Sequence, residues 1–194
     1  MKTYTTTIKK NRLLIEIDEH TTSPREWSNL GYFITQCRKY ESPDKHFDLQ
    51  YIIKEKVDYA SSQDDQVKRI KKEYNKENPS DKIVAIYPIV KHEHGGVSYS
   101  IGTVQGFDHS NNGFYIITKS SQKAMGTPKA SFEEVIKGEL KVYNSYVNSA
   151  VYRYTLHDEQ GGHEESCGGF YDIEDIKEYL PEEWKDEDLT KYIQ

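Results

Sequence analysis

The residues best suited to recognition are concentrated in one short segment, Arg25-Glu26-Trp27-Ser28-Asn29. Trp and Arg are common anchors of protein interfaces. A compact loop presenting Arg25, Glu26, Trp27 and Asn29 would therefore make a partner- or ligand-binding surface. A plainer account of the same residues is structural: Trp27 fills the core, Arg25 pairs with an internal carboxylate, and Asn29-Leu30-Gly31 turns the chain. A second group is histidine-rich. His92 and His94 flank Glu93, and His109 follows Asp108. Brought together they could ligate zinc and serve a metal-dependent enzyme. Gly95 places His94 at a turn, which favours ordinary surface histidines, so no metal or other cofactor is expected.

The remaining chemistry-bearing residues lack a reactive frame. There is no Gly-x-Ser-x-Gly elbow, and Cys167 sits beside glycines without a helix start to lower its pKa. The pairs Gly95-Gly96, Gly161-Gly162 and Gly168-Gly169 fit neither phosphate-binding glycine pattern. Glu164-Glu165 and Glu174-Asp175 read as solvated carboxylates. No catalytic residue is assigned, and the chain leans away from being an enzyme. Lys68, Arg69, Lys71, Lys72 and Lys76 could touch phosphates, but Asp64, Asp65, Glu73 and Glu77 dilute them. A solvated helix face is the simpler reading, and direct nucleic-acid binding is not expected.

The elements that must position these groups read as an α+β fold: a mainly antiparallel twisted sheet, two principal helices and an acidic C-terminal helical segment. Strands are expected over 12–18, 32–40, 82–91, 97–103, 113–119 and 150–157, from their period-2 and β-branched patterns. Pro88 places the third of these at an edge or bulge, and short connections make strands three to five a meander. Residues 61–77 predict a helix capped by Ser61 or Ser62, with Asp64 and Asp65 at its start and lysines towards its end. Residues 131–147 predict another, with Ser131 and Glu134 as a capping box. A short acidic helix is expected over 173–180, stopped by Pro181. The expected organisation is one domain over 1–180 and a loosely attached helical tail over 181–194.

Composition sets the outer limits. The chain has 194 residues, sixteen of them tyrosine, and a net charge of −6. Thirteen acids lie between His157 and Asp188, opposed only by Lys177 and Lys185. That asymmetry concerns partners, whether as phosphate mimicry or as a solubilising surface. Cys37 and Cys167 are too few and too far apart for a disulfide framework, and read as reduced, buried thiols. Met1-Lys2-Thr3-Tyr4 opens no secretory signal, and no apolar run approaches the roughly 18 residues of a membrane span.

Four segments carry a resemblance: Ser23-Pro24-Arg25-Glu26-Trp27-Ser28-Asn29-Leu30-Gly31, the run from Asp108 to Ile116, the run from Val142 to Tyr152, and Cys167-Gly168-Gly169-Phe170-Tyr171. In order and spacing along most of the chain they resemble a family of uncharacterised bacteriophage and prophage proteins. Its members pair a Pro-Arg-Glu-Trp-x-Asn-Leu-Gly motif near the start with a Cys-Trp-Gly-Phe-Tyr-like motif near the end. This chain has Gly168 where the second motif has tryptophan, and His109-Ser110-Asn111 where an Asp-Ser-Gly turn is usual. The resemblance carries over no catalytic residue. It implies a phage or mobile-element accessory protein working inside a bacterium. Together with the missing catalytic motifs, the acidic end and the lack of an apolar span, the expectation is a non-enzymatic protein in the cytoplasm of the bacterial host, with no membrane partner. Its expected partner is a host protein, such as a nucleic-acid-binding defence protein that it inhibits. The alternative is a small-ligand or nucleotide-binding protein that stacks a base on its tyrosine-rich sheet and holds a phosphate with Arg25.

Overall fold

A computed structural model describes residues 12–37, 41–104 and 106–194. The strands are β1 (Leu13–Ile17), β2 (Tyr32–Thr35), β3 (Ile83–Glu93), β4 (Val97–Ile101), β5 (His109–Thr118), β6 (Tyr152–His157) and β7 (His163–Phe170). The helices are α1 (Phe47–Tyr51), continued by a π-helical turn (Ile52–Lys56), then α2 (Gln63–Glu77), α3 (Lys119–Met125) and α4 (Phe132–Val147). The fold is α+β with antiparallel sheets, as the residue patterns indicate. The strands divide between two sheets, ordered β1-β6-β7 and β2-β5-β3-β4. Among the described residues, no helix is long and apolar enough to cross a membrane. The start of the chain, Met1-Lys2-Thr3-Tyr4, lies outside the described residues, as do positions 38–40 of the second expected strand.

The chain packs as two compact units, where the sequence pointed to one domain and a tail. One is Ser23–Asn144; the other combines Ser145–Gln194 with the described part of Met1–Thr22. In the first, β5 alternates its side chains between two cores, as the period of a strand requires. Phe114 and Ile116 join Leu49, Ile52, Ile53, Ile70 and Tyr74 from α1, the π-helical turn and α2. Tyr115 and Ile117 face Phe132, Ile136 and Leu140 of α4. Helices thus cover both faces of the sheet.

Strands β3, β4 and β5 do not form a meander. β5 pairs with β3, because β3 is long enough to hold β4 along Ile89–Glu93 while β5 runs along its other side. Pro88 sits where β4 pairing has ended, beside a register shift between Ile89 and Val90, so its missing N–H interrupts no ladder to β4. Ser62 caps α2 by accepting from Asp65 N–H. Ser131 is not the cap of α4: a 3₁₀ turn starting after Pro128, Lys129–Ser131, runs straight into that helix.

In the second unit β1 pairs with β6, from Leu13 opposite Leu156 to Ile17 opposite Tyr152. The acidic end forms three 3₁₀ turns, Ile173–Glu178, Glu182–Trp184 and Leu189–Tyr192. It is no loose tail. Trp184, Leu189 and Tyr192 are buried against Leu13, Ile15, Tyr154 and Leu156. Both cysteines are free; Cys37 is half-buried, and Cys167 is exposed on β7, contrary to the expected buried thiol.

Candidate functional site

The segment Ser23–Gly31 is folded around its own side chains. Ser23 accepts the N–H of Arg25 and opens a 3₁₀ turn over Pro24–Glu26, with proline at a position whose N–H needs no partner. Asn29 closes the loop by donating from Nδ2 to the carbonyls of Pro24 and Trp27. Gly31 then enters β2 so close to β5 that a Cβ would collide with the carbonyl of Ile116 and the ring of Tyr115. Gly113, across that strand pair, is held to glycine by the backbone of Ile34.

Arg25 is the centre of this arrangement, with its side chain 1% exposed. A guanidinium has five N–H donors. All five have acceptors: Nε and Nη2 grip Asp44 at 3.0 and 2.5 Å, Nη2 also reaches the Gly31 carbonyl at 2.9 Å, and Nη1 reaches Asn29 Oδ1 at 3.0 Å and Glu139 Oε2 at 2.9 Å. Glu139, on α4, also accepts from Leu30 N–H and from the Tyr115 hydroxyl, and that hydroxyl accepts from Gly31 N–H. Asp44 takes the N–H of Phe33 as well. Burial works against the charge on Arg25, but the bonds and fields of Asp44, Tyr115 and Glu139 outweigh it and hold its pKa above the ordinary value. Burial, followed by Glu139, pushes the Tyr115 hydroxyl up. The cluster is a closed ionic joint between loop, sheet and helix.

The structure therefore splits the four singled-out residues. Arg25 and Asn29 hold the loop together, while Glu26 and Trp27 face solvent, with Trp27 51% exposed. Trp27 does not fill the core. It borders a cleft of about 520 Å³ whose other walls include Ser23, Tyr32, Pro43, Lys45 and Ser121. Asp44, Glu139 and Tyr115 were not singled out from the sequence. Glu139 had a signal, since it interrupts the apolar stripe of α4 three residues after Ile136. Asp44 had none.

The histidines do gather at one end of the sheet. His92 and His109 are register partners with ring centroids 4.7 Å apart, His94 lies 6.4 Å from His92, and its Nδ1 is 3.5 Å from Asp108. Among the described residues, however, no group of three His, Cys, Asp or Glu side chains is arranged to hold a metal ion. The basic face of α2 is diluted by its own ion pairs, Lys68 with Asp65 and Arg69 with Glu73. At Gly168 a Cβ would meet a carboxylate oxygen of Asp18, so a larger residue there would require that side chain to move. No protein-family model matches the chain, and no curated protein or solved structure matches it either.

Proposed function

We propose that this chain is a non-enzymatic binding protein that presents Trp27, on a rigid loop, to a protein partner. The observation that carries this reading is the saturation of Arg25: its five donors fix the loop from within, and the tryptophan beside it is left half-exposed over a cleft. A preformed loop loses little conformational freedom on binding, and an exposed tryptophan is the residue type that most often dominates an interface. The resemblance noted above supports a setting. The protein is a phage or prophage accessory factor in the bacterial cytoplasm, and its partner is a host protein, with inhibition of a host defence system as the role. The test compares wild type with Trp27→Ala as baits in host lysate, then titrates the differentially retained protein, purified, by calorimetry. Expected is a loss of affinity of about tenfold or more, roughly 1.4 kcal/mol, with unchanged melting temperature. Equal affinity of the two baits would remove Trp27 from the interface.

One observation favours a second reading, a small-ligand or nucleotide-binding role. Trp27 and Tyr32 border the cleft together with Lys45, an exposed ammonium with no ion pair among the described residues. In this reading a base lies against the rings and Lys45 meets the phosphate; Arg25, fully occupied, does not. A nucleotide panel followed by thermal shift separates the two readings, since a ligand bound only by the folded state raises the melting temperature.

A further inference from the structure

Outermost strands leave unpaired backbone groups, and folded proteins usually cover them. Here three of the four are covered by identifiable devices. Along β2, Asp44 exchanges bonds with Phe33 through its side chain and its N–H, and Ser42 Oγ accepts from Thr35 N–H. On β4, the Asn144 side chain imitates a neighbouring peptide: its Oδ1 accepts from Tyr99 N–H and its Nδ2 donates to the Tyr99 carbonyl. On β1, Gln194 N–H donates to the Ile15 carbonyl and Ile193 bridges to Ile15 in parallel.

The fourth, β7, has no such cover. Apart from the local bond of the Cys167 thiol to the Gly168 carbonyl, no described residue outside β6 bonds to its backbone between His163 and Gly168; only at Gly169 does an N–H reach Asp18. The strand also overhangs its core. Glu165 and Cys167 lie opposite the buried Leu156 and Tyr154, yet both are exposed, as is every β7 residue before Phe170. Glu164 and Glu165 are adjacent and so point to opposite faces of the sheet. The nearby cations are committed elsewhere: Arg12 bonds Glu183 at 2.9 Å and only approaches Glu164 at 4.0 Å, while Arg153 bonds Glu16. Ser145–Gln194 and Met1–Thr22 together carry sixteen Asp and Glu against eight Lys and Arg.

From the open edge and its charge we infer that β7 is a docking edge for an extended, lysine- or arginine-rich segment of a protein partner, which adds as a further strand. Main-chain bonds supply the attachment, and cations on both faces of the incoming strand meet Glu164 and Glu165. A second copy is a poor occupant, because it would set these carboxylates against their own kind. The surface is distinct from the Trp27 cleft and does not depend on it.

The probe is the peptide Thr-Val-Lys-Lys-Val-Thr added to the full chain, read by residue-resolved hydrogen exchange and titration. Expected are exchange slowed about tenfold at alternate β7 amides, at least tenfold weaker binding to the Glu164→Lys/Glu165→Lys variant, and loss of binding when the peptide is N-methylated at alternate residues. Trp27→Ala should leave the titration unchanged. The inference is overturned by unchanged exchange along β7, by equal binding of a peptide with Glu in place of Lys, or by retained binding of the N-methylated peptide. It is equally overturned if β7 protection appears without peptide as protein concentration rises, which would make a second copy the occupant.

Discussion

Arg25 illustrates how one side chain decides what its neighbours can do. Its guanidinium stands between Asp44 and Glu139, two carboxylates that are themselves 8% and 15% exposed. Arg25→Met preserves much of the volume but leaves both carboxylates short of their counter-charge. Breaking a buried pair in this way is expected to destabilise by about 3–5 kcal/mol, measured by urea unfolding. Arg25→Lys should recover little, since an ammonium on a flexible stem cannot serve five fixed acceptors. Glu26→Ala, on the exposed side of the same turn, should change stability by less than about 0.5 kcal/mol. His46 offers a prediction of a different kind. Its Nδ1 accepts the N–H of Leu49 to cap α1, and its ring lies against Tyr32 and Tyr74, with Asp48 and Asp81 near enough to be felt. Burial lowers its pKa, in spite of those carboxylates. The unfolded chain therefore takes up the proton first as pH falls, and stability drops from the ordinary histidine value, about 6.5, down to the lower folded value. His46→Asn keeps a capping acceptor and should flatten that part of the pH–stability curve. Asp81 acts in a separate, more acidic window. Burial alone would raise its pKa, but bonds from Ser120 hold it low, so its contribution is lost only below about pH 4.

At the scale of elements, the pairing of β2 with β5 depends on two positions without a Cβ. Gly113→Ala would drive a methyl group into the backbone of Ile34, and neither strand can yield without disturbing the cores on both faces. The expected loss is about 1–3 kcal/mol, visible as a lower melting temperature, and Gly31→Ala should behave alike because it meets the backbone of Ile116. These two glycines stand in segments that the sequence marked for their motifs, but it could not show that strand proximity is what they serve. Legibility varied with how local the determining interactions are. Helix α2 was plain, since Ser62, Asp64, Asp65 and the stripe of Ile70 and Tyr74 lie within the element itself. Helix α3 was missed, because its capping box uses Thr118 with Ser121, not the usual Glu or Gln, and none of its residues is buried. The meander failed for the opposite reason: period-2 patterning reveals that a strand exists but is silent about which neighbour it pairs with. The site shows the same division. Trp27 and Arg25 were visible as unusual residues in a short loop, whereas their separation into exposed and buried rests on Asp44 and Glu139, residues 19 and 114 positions from Arg25.

For the whole molecule, the decisive feature is a chain that starts one unit, completes another, and then returns. β1 waits for β6, with Leu13 opposite Leu156, while everything from Ser23 to Asn144 lies between them. No linker marks that return at Ser145, and the shift to acidic composition begins only at Asp158, which is why the sequence reads as one domain. The acidic end looked like a tail for a related reason: its anchors, Trp184, Leu189 and Tyr192, are spread among carboxylates too thinly to show a helical stripe. The consequence is asymmetric. Both cores of the four-stranded sheet draw only on residues of the inserted unit, and the joint of Arg25, Asp44, Tyr115 and Glu139 closes within it. A fragment spanning 23–147, which keeps α4 whole, should therefore fold alone with a cooperative thermal transition, as a contiguous domain with its own core does. Its destabilisation by Arg25→Met should match that of the full chain. Residues 148–194 alone should show no such transition, because Leu13 and Ile15 are missing from their core and β6 has lost its partner β1. A broad, gradual melt of 23–147 by circular dichroism would show that its two cores do not suffice, and with that the reading of Ser23–Asn144 as a self-contained unit would fall.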